Sequence, residues 1–279
     1  MSLLFEPMFR VPFITGLLLV LLLPQLGLLL RLRHEWLAAL GFAHLAGAGG
    51  ALGALLGLPA LLSGLALAFA GVLARALVPG RGNDFHALMI LLGWSTMVLA
   101  MALSQHAHGL GRLLIDGQLY FTHRPHLVAV AIFAVLMLAL LPALMRTLLR
   151  AELLPRQDLL NREGLTGAAT LFNLLLAAGV ALSAMVMGVM AAFALLFVPA
   201  WVAWRLAPGW RVARWLASLL ALGCYLAAFV LALLADLPFG PVLVAMLVLV
   251  SVVALLAPER TAQAQSEDCH QHGADQQAD

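Results

Sequence analysis

The sequence predicts an all-α, polytopic membrane protein with about nine transmembrane helices. Hydrophobic residues make up 64% of the 279 residues and charged residues only 10%, whereas soluble globular domains contain about 25% charged residues. The apolar residues form runs of roughly 18–23 residues, the length at which a helix crosses a hydrocarbon core of about 30 Å. Backbone polar groups in lipid must be satisfied within the segment, so these runs are expected to be helices.

Charged residues, prolines and glycines delimit the runs. Residues 165–206 form one apolar stretch that is too long for a single span, and we divide it at Met185–Met187. The predicted spans are 11–30, 36–58, 59–79, 85–105, 126–146, 165–184, 187–206, 213–234 and 239–257. They make up one transmembrane domain over residues 1–257, and the polar tail 258–279 is expected to be a disordered cytoplasmic segment.

Arginine placement predicts the orientation, because cytoplasmic loops carry an excess of basic residues. With the N-terminus outside, the outer loops hold only Arg10, Arg112 and Arg124. The inner loops and inner span ends then hold Arg31, Arg33, Arg75, Arg81, Arg146, Arg150, Arg156, Arg162, Arg205, Arg211, Arg214 and Arg260. This asymmetry predicts an odd number of spans and a cytoplasmic C-terminus.

The second span carries one ionisable side chain, His44, among small residues such as Gly41, Gly47 and Ala48. Small residues let a neighbouring helix approach closely. An ionisable group at membrane depth is costly and usually faces a partner or a wet path. Two interpretations remain open: His44 looks into a path lined by this helix, or it makes an interhelical hydrogen bond and has no further role.

The longest and most charged inner segment is 150–164, in which leucine pairs recur about two helical turns apart among charged residues. This pattern predicts a short amphipathic helix at the cytoplasmic surface. It is either a docking element for a cytoplasmic partner or an ordinary connector. The candidate docking residues are Glu152, Leu153, Arg156, Leu159, Leu160 and Gly164.

The outer segment 106–126 contains two pairs of histidines, His106 with His108 and His123 with His126. Each pair either binds metal or consists of solvated loop residues. The tail contains Cys269, His270 and His272, a cluster that either binds zinc or copper weakly or is incidental. The two cysteines, Cys224 and Cys269, do not suggest a disulfide framework.

The composition also excludes some functions. No soluble segment is long enough for a catalytic domain. All 15 basic residues counted as Lys+Arg are arginines, so the chain contains no lysine. A P-loop of the type GxxxxGKS or GxxxxGKT is therefore absent, and ATP must be hydrolysed by another subunit if it is used.

Several short segments, in order, resemble the membrane permeases of metal-ion ABC importers, the zinc/manganese/iron type also called ABC-3 permeases. The first span ends in an arginine pair, and an Ala-His dipeptide in the second span is followed by a glycine five residues after the histidine. The segments that carry the resemblance are Leu30–Arg33, Ala43–Gly49, Asp84, Leu113–Gly117, Arg150–Gly164, Leu196–Ala203 and Asp236–Pro241. The resemblance extends over about residues 5–257.

The resemblance implies a permease in a bacterial cytoplasmic (inner) membrane that imports a divalent transition metal and has no intrinsic cofactor or enzymatic activity. It implies cytoplasmic ABC ATPase subunits that dock on a coupling helix at 150–164. A periplasmic metal-binding protein would deliver the ion. Two copies of this permease, a homodimer, or this permease with a related one would form the membrane part. No nucleic-acid partner is expected.

The same resemblance places His44 on the translocation path, but the family's acid one turn before this histidine is replaced by Leu40. Without that oxygen ligand, zinc is favoured over manganese. His86 is either a second station for the ion or an interfacial histidine. The alternatives to an ABC permease are an ion-coupled secondary transporter, an intramembrane enzyme based on Asp84 and His86, and a non-transporting structural subunit.

Overall fold

A computed structural model describes residues 7–77, 82–104, 108–109, 119–153 and 162–256. Within these ranges the chain forms nine long α-helices and no strand. They are α1 (Pro7–Leu32), α2 (Leu37–Leu56), α3 (Ala60–Leu77), α4 (Gly82–Leu103), α5 (Arg124–Leu153), α6 (Arg162–Met187), α7 (Val189–Leu206), α8 (Trp210–Ala235) and α9 (Phe239–Leu256). A short 3-10 helix, Leu119–Phe121, precedes α5.

All nine helices contain a stretch that is long and apolar enough to cross a membrane by length and composition. The predicted fold class is thereby confirmed, and each predicted span overlaps a different one of these helices. The division of the apolar stretch 165–206 also has a structural cause. Gly188 separates α6 from α7 with φ +91°, a conformation that residues with a side chain rarely adopt.

Six arginines lie at one end of the helix bundle, which we call the arginine end: Arg31, Arg33, Arg75, Arg205, Arg211 and Arg214. The Arg31 guanidinium lies 5.4 Å from the Trp204 ring centre, so the end of α1 meets the end of α7. The Arg205 side chain donates to the carbonyl of Leu255, so the end of α9 lies beside the end of α7. The C-terminal ends of α1, α7 and α9 therefore lie at the same end of the bundle, as the predicted spans require.

The central helices of the described bundle are α1, α2, α6 and α7, which are buried over most of their membrane-length windows, while the other five lie at the periphery. Very close contacts hold the centre together. A Cβ at Gly27 of α1 would overlap the carbonyl oxygen of Leu196 in α7. Glycine at this position lets the two helix backbones touch.

Aromatic side chains close the opposite end of the bundle between α1, α8 and α9. The Tyr120 hydroxyl donates to the carbonyl of Phe229, and the Tyr120 ring packs edge-on against Phe9 and Phe239. Burial raises the pKa of Tyr120 to about 12, so this hydroxyl remains a hydrogen-bond donor at neutral pH. The 3-10 helix Leu119–Phe121 is thus anchored on the bundle.

Candidate ion path along the second helix

His44 lies in the middle of α2 and is only 7% exposed. Its Nδ1 is 2.9 Å from the carbonyl oxygen of Leu40, one turn earlier. A carbonyl can only accept, so Nδ1 carries the proton and donates it in this bond. In the neutral ring, this bond leaves Nε2 with its lone pair, the arrangement in which a histidine commonly binds a metal ion.

The small residues around His44 bring α4 directly against α2. A Cβ at Gly93 of α4 would lie 2.6 Å from the backbone carbon of His44 and 2.9 Å from its Cβ. A Cβ at Gly41 would lie 3.2 Å from the carbonyl oxygen of His86, and one at Gly47 would lie 3.2 Å from the sulfur of Met97. The expected close approach of another helix is confirmed, and that helix is α4.

The opposite side of α2 meets α3 in the same way. A Cβ at Gly49 would overlap the carbonyl oxygen of Ser63, and one at Gly53 would overlap the Ser63 hydroxyl. The glycines of α2 therefore serve two contacts, and the histidine lies on the side that faces α4.

No group of three or more His, Cys, Asp or Glu side chains comes together within the described ranges. Leu40 supplies its backbone carbonyl to His44 and packs its side chain against the hydrophobic core. His44 thus offers one nitrogen ligand from α2, without a cluster of three such side chains around it in the described part of the chain.

His86 lies near the start of α4 and is 1% exposed. Its ring packs edge-on against Phe42 and Phe85. Neither ring nitrogen has a hydrogen-bond partner among the described residues. Its role as a second station for the ion stays a prediction.

Glu35, which the sequence analysis did not single out, joins three helices at the arginine end. Its carboxylate lies 3.1 Å from Arg33 and 3.4 Å from Arg75, which extend from α1 and α3. Arg33 also donates to the carbonyl of Ala169 in α6. The available signal in the sequence was that Glu35 is an acid two residues after Arg33 and four residues after Arg31.

The outer histidines are only partly described. His106 lies outside the described residues, whereas His108 is exposed and its backbone N–H donates to the carbonyl of Ser104. The rings of His123 and His126 lie 6.5 Å apart, centre to centre. They line a cavity of about 970 Å³ with Met185 and the first residues of α3.

The charged segment 150–164 is also described only at its ends. Residues up to Leu153 continue α5, and α6 begins at Arg162, so Glu152 and Gly164 belong to these two helices. Arg156, Leu159 and Leu160 lie outside the described residues, as does the tail with Cys269, His270 and His272. The docking role of this segment stays a prediction.

Comparison with known proteins agrees with this architecture. The family model described as the ABC 3 transport family matches residues 5–257. The structure of PsaBC from Streptococcus pneumoniae in complex with Fab is similar with a TM-score of 0.80, at 14% identity, over 95% of this chain and 97% of that chain.

A second solved structure, described as a metal-chelate type ABC transporter in an inward-facing conformation, has a TM-score of 0.73 at 14% identity, over 88% of this chain and 84% of that chain. No protein with a curated description matches the sequence. At these identities the two structures establish the fold.

Proposed function

Since the chain belongs to the ABC 3 transport family, and is thus a multi-pass membrane transport component and not an enzyme, we propose that it forms the path of an importer for divalent transition metals. Zinc is the proposed substrate. The observation that carries the proposal is His44, whose Nδ1 bond to Leu40 leaves Nε2 free in the middle of a central helix. Imidazole nitrogen suits zinc, copper and iron better than calcium or magnesium.

Leu40, which stands where an acid one turn before His44 would supply a carboxylate, supports zinc over manganese, because manganese prefers oxygen ligands. A site with one imidazole binds weakly. Weak binding suits transport, because the ion must leave the site as well as reach it. The second solved relative is described as metal-chelate type, which supports a metal or a metal complex as cargo.

The partners follow from the same proposal. Two copies of this chain would form the membrane part, cytoplasmic ABC ATPases would supply energy, and an extracytoplasmic binding protein would deliver the ion. The likeness to PsaBC, whose name joins two components, supports a multi-subunit assembly. The six arginines of the arginine end support the orientation with this end in the cytoplasm of a bacterium and the N-terminus outside.

The substrate is tested with the permease and its ATPase reconstituted in liposomes with the binding protein. We expect ATP-dependent uptake of Zn²⁺ to exceed uptake of Mn²⁺, Fe²⁺ and Ca²⁺ when each is measured with an isotope or a chelating dye inside the vesicles. Uptake of Mn²⁺ above Zn²⁺ would contradict the assignment of zinc. An absence of uptake for all four ions would favour a non-transporting structural subunit. In that case His44 would have only a packing role.

The segment 150–164 is proposed to carry the ATPase contact. Leu159→Arg or Leu160→Arg should prevent copurification of the ATPase, because a charge would replace an apolar side chain that fills a groove on the partner. Leu256→Arg is the matched control, since Leu256 is 83% exposed at the end of α9 and lies outside the segment. Unchanged copurification in both segment variants, or an extracytoplasmic signal from a reporter fused at Gly164, would rule out this contact.

A further inference from the structure

A basic pocket opens between α1 and α8 at the arginine end. It has a volume of about 270 Å³ and is lined by Gln25, Arg211, Arg214, Trp215 and Ser218. This volume corresponds to about nine water molecules, enough for a phosphate-sized anion with part of its substituent. The pocket is separate from His44, Glu35 and the segment 150–164.

A hydrogen-bond network fixes one of the two arginines. The Arg214 Nε donates to the Oε1 of Gln25 at 2.8 Å. The Gln25 Nε2 donates to the Ser218 hydroxyl at 2.9 Å and to the backbone carbonyl of Arg214 at 3.1 Å. Because the network uses only Nε, the two terminal nitrogens of Arg214 remain as donors for another group.

The pocket carries positive charge without a matching acid in the described part of the chain. The two ion pairs found among the described residues both use Glu35, with Arg33 and Arg75. Neither Arg211 nor Arg214 is paired with a carboxylate there. Two guanidinium groups at one small pocket favour an anion with several oxygen atoms, because the planar donor pattern of arginine matches phosphate.

The surroundings of the pocket indicate that this anion belongs to a lipid. The face of α8 that leads from the pocket toward the membrane centre is apolar and exposed: Trp215 is 74% exposed, Leu219 61% and Leu226 41%. These residues lie within a membrane-length helix. Tryptophan is typical of the level of the lipid headgroups. An acyl chain can follow this face while the headgroup occupies the pocket.

We propose that the pocket formed by Gln25, Arg211, Arg214, Trp215 and Ser218 binds the phosphate headgroup of an anionic glycerophospholipid. With the arginine end in the cytoplasm, this lipid belongs to the inner leaflet, where anionic headgroups attract basic residues. Gln25 and Ser218 hold Arg214 in place, Arg211 closes the pocket, and Trp215 lies against the glycerol region. The inference concerns the lipid surroundings of the protein and does not depend on which ion it carries.

The test uses the full-length protein, purified in a neutral detergent and titrated with dioleoylphosphatidylglycerol. Native mass spectrometry counts the bound lipid, and the thermal unfolding midpoint reports stabilisation. We expect the wild type to bind phosphatidylglycerol more tightly than dioleoylphosphatidylcholine. Arg211→Gln should weaken phosphatidylglycerol binding about fivefold, and the double change Arg211→Gln with Arg214→Gln about 25-fold.

Arg146→Gln is the matched control. Arg146 is an exposed arginine of α5, its Nε donates to the carbonyl of Pro142, and it does not line this pocket. It should bind phosphatidylglycerol like the wild type. Arg211→Gln should keep the wild-type unfolding midpoint in detergent alone, since Arg211 is exposed.

Three results would overturn the proposal. One is equal phosphatidylglycerol binding by Arg211→Gln and wild type. Another is stabilisation by inorganic phosphate as large as that by phosphatidylglycerol, which would assign the pocket to a free anion. The third is loss of ATPase copurification in Arg211→Gln with unchanged lipid binding, which would assign it to a protein contact.

Discussion

Replacing His44 by alanine is expected to abolish metal-dependent transport while the protein remains assembled in the membrane. The change removes Nε2, the one nitrogen that the Leu40 bond leaves free for an ion in this helix. Loss of a residue that only orients a metal ligand typically lowers metal affinity or activity about 10–100-fold. Loss of the ligand itself should reduce uptake at least as much. The measurement is zinc uptake in liposomes at equal protein content.

Leu45→Ala is the control for packing effects. Leu45 is the next residue of α2, is 4% exposed, and lies against Gly71 of α3 rather than against Gly93 of α4. Its truncation leaves a cavity in the same helix without changing the ion ligand. If Leu45→Ala transports zinc and His44→Ala does not, the imidazole itself is required. Wild-type uptake by His44→Ala would make His44 a packing residue and direct attention to His86.

Leu40→Asp provides the opposite arm of this experiment. It places a carboxylate one helical turn from the imidazole, where oxygen and nitrogen ligands can share one ion. We expect tighter metal binding and a shift of preference toward Mn²⁺. Slower release can reduce the transport rate in the same variant, so binding and uptake are measured separately. Unchanged metal affinity would indicate that residue 40 does not face the ion.

The number and position of the helices could be predicted from sequence because lipid imposes a strict length and a strict backbone requirement on each span. The division of residues 165–206 was placed at Met185–Met187, and the helix ends at Met187. The sequence pattern did not identify Gly188 as the cause. Its φ of +91° arises from the tight connection between two helices. Sequence alone does not reveal such a φ, because a glycine within an apolar stretch can equally lie inside a helix.

Less of the candidate site was predictable. The small residues of α2 indicated that a helix would approach His44, but not that α4 would do so through Gly93. The Leu40 carbonyl was also missed, because the sequence analysis considered only the side chain at that position. The pair formed by Gln25 and Arg214 joins residues 189 positions apart, and such pairs depend on how the helices pack rather than on any local pattern.

Gly93→Ala is expected to destabilise the protein and to reduce zinc uptake, because the added methyl group would press directly on the backbone of His44. The new Cβ would lie 2.6–2.9 Å from the backbone carbon, the carbonyl oxygen and the Cβ of His44. Backbone atoms inside a helix cannot rotate away, so α4 must move outward and the imidazole with its surroundings must shift. Overpacking of this kind costs about 1–3 kcal/mol. We expect a lower thermal unfolding midpoint in detergent and a loss of zinc uptake that exceeds the loss of protein.

Gly223→Ala is the matched control, because a Cβ at this position of α8 would have no heavy atom within 4 Å. There the same substitution only replaces a poor helix former by a good one, which favours the folded protein by up to about 1 kcal/mol. Its midpoint should be equal to or above that of the wild type, with normal uptake. The contrast between the two alanines tests whether contact between α2 and α4 at Gly93 determines the position of His44. If Gly93→Ala unfolds and transports like Gly223→Ala, the two helices do not pack this closely in the functional protein.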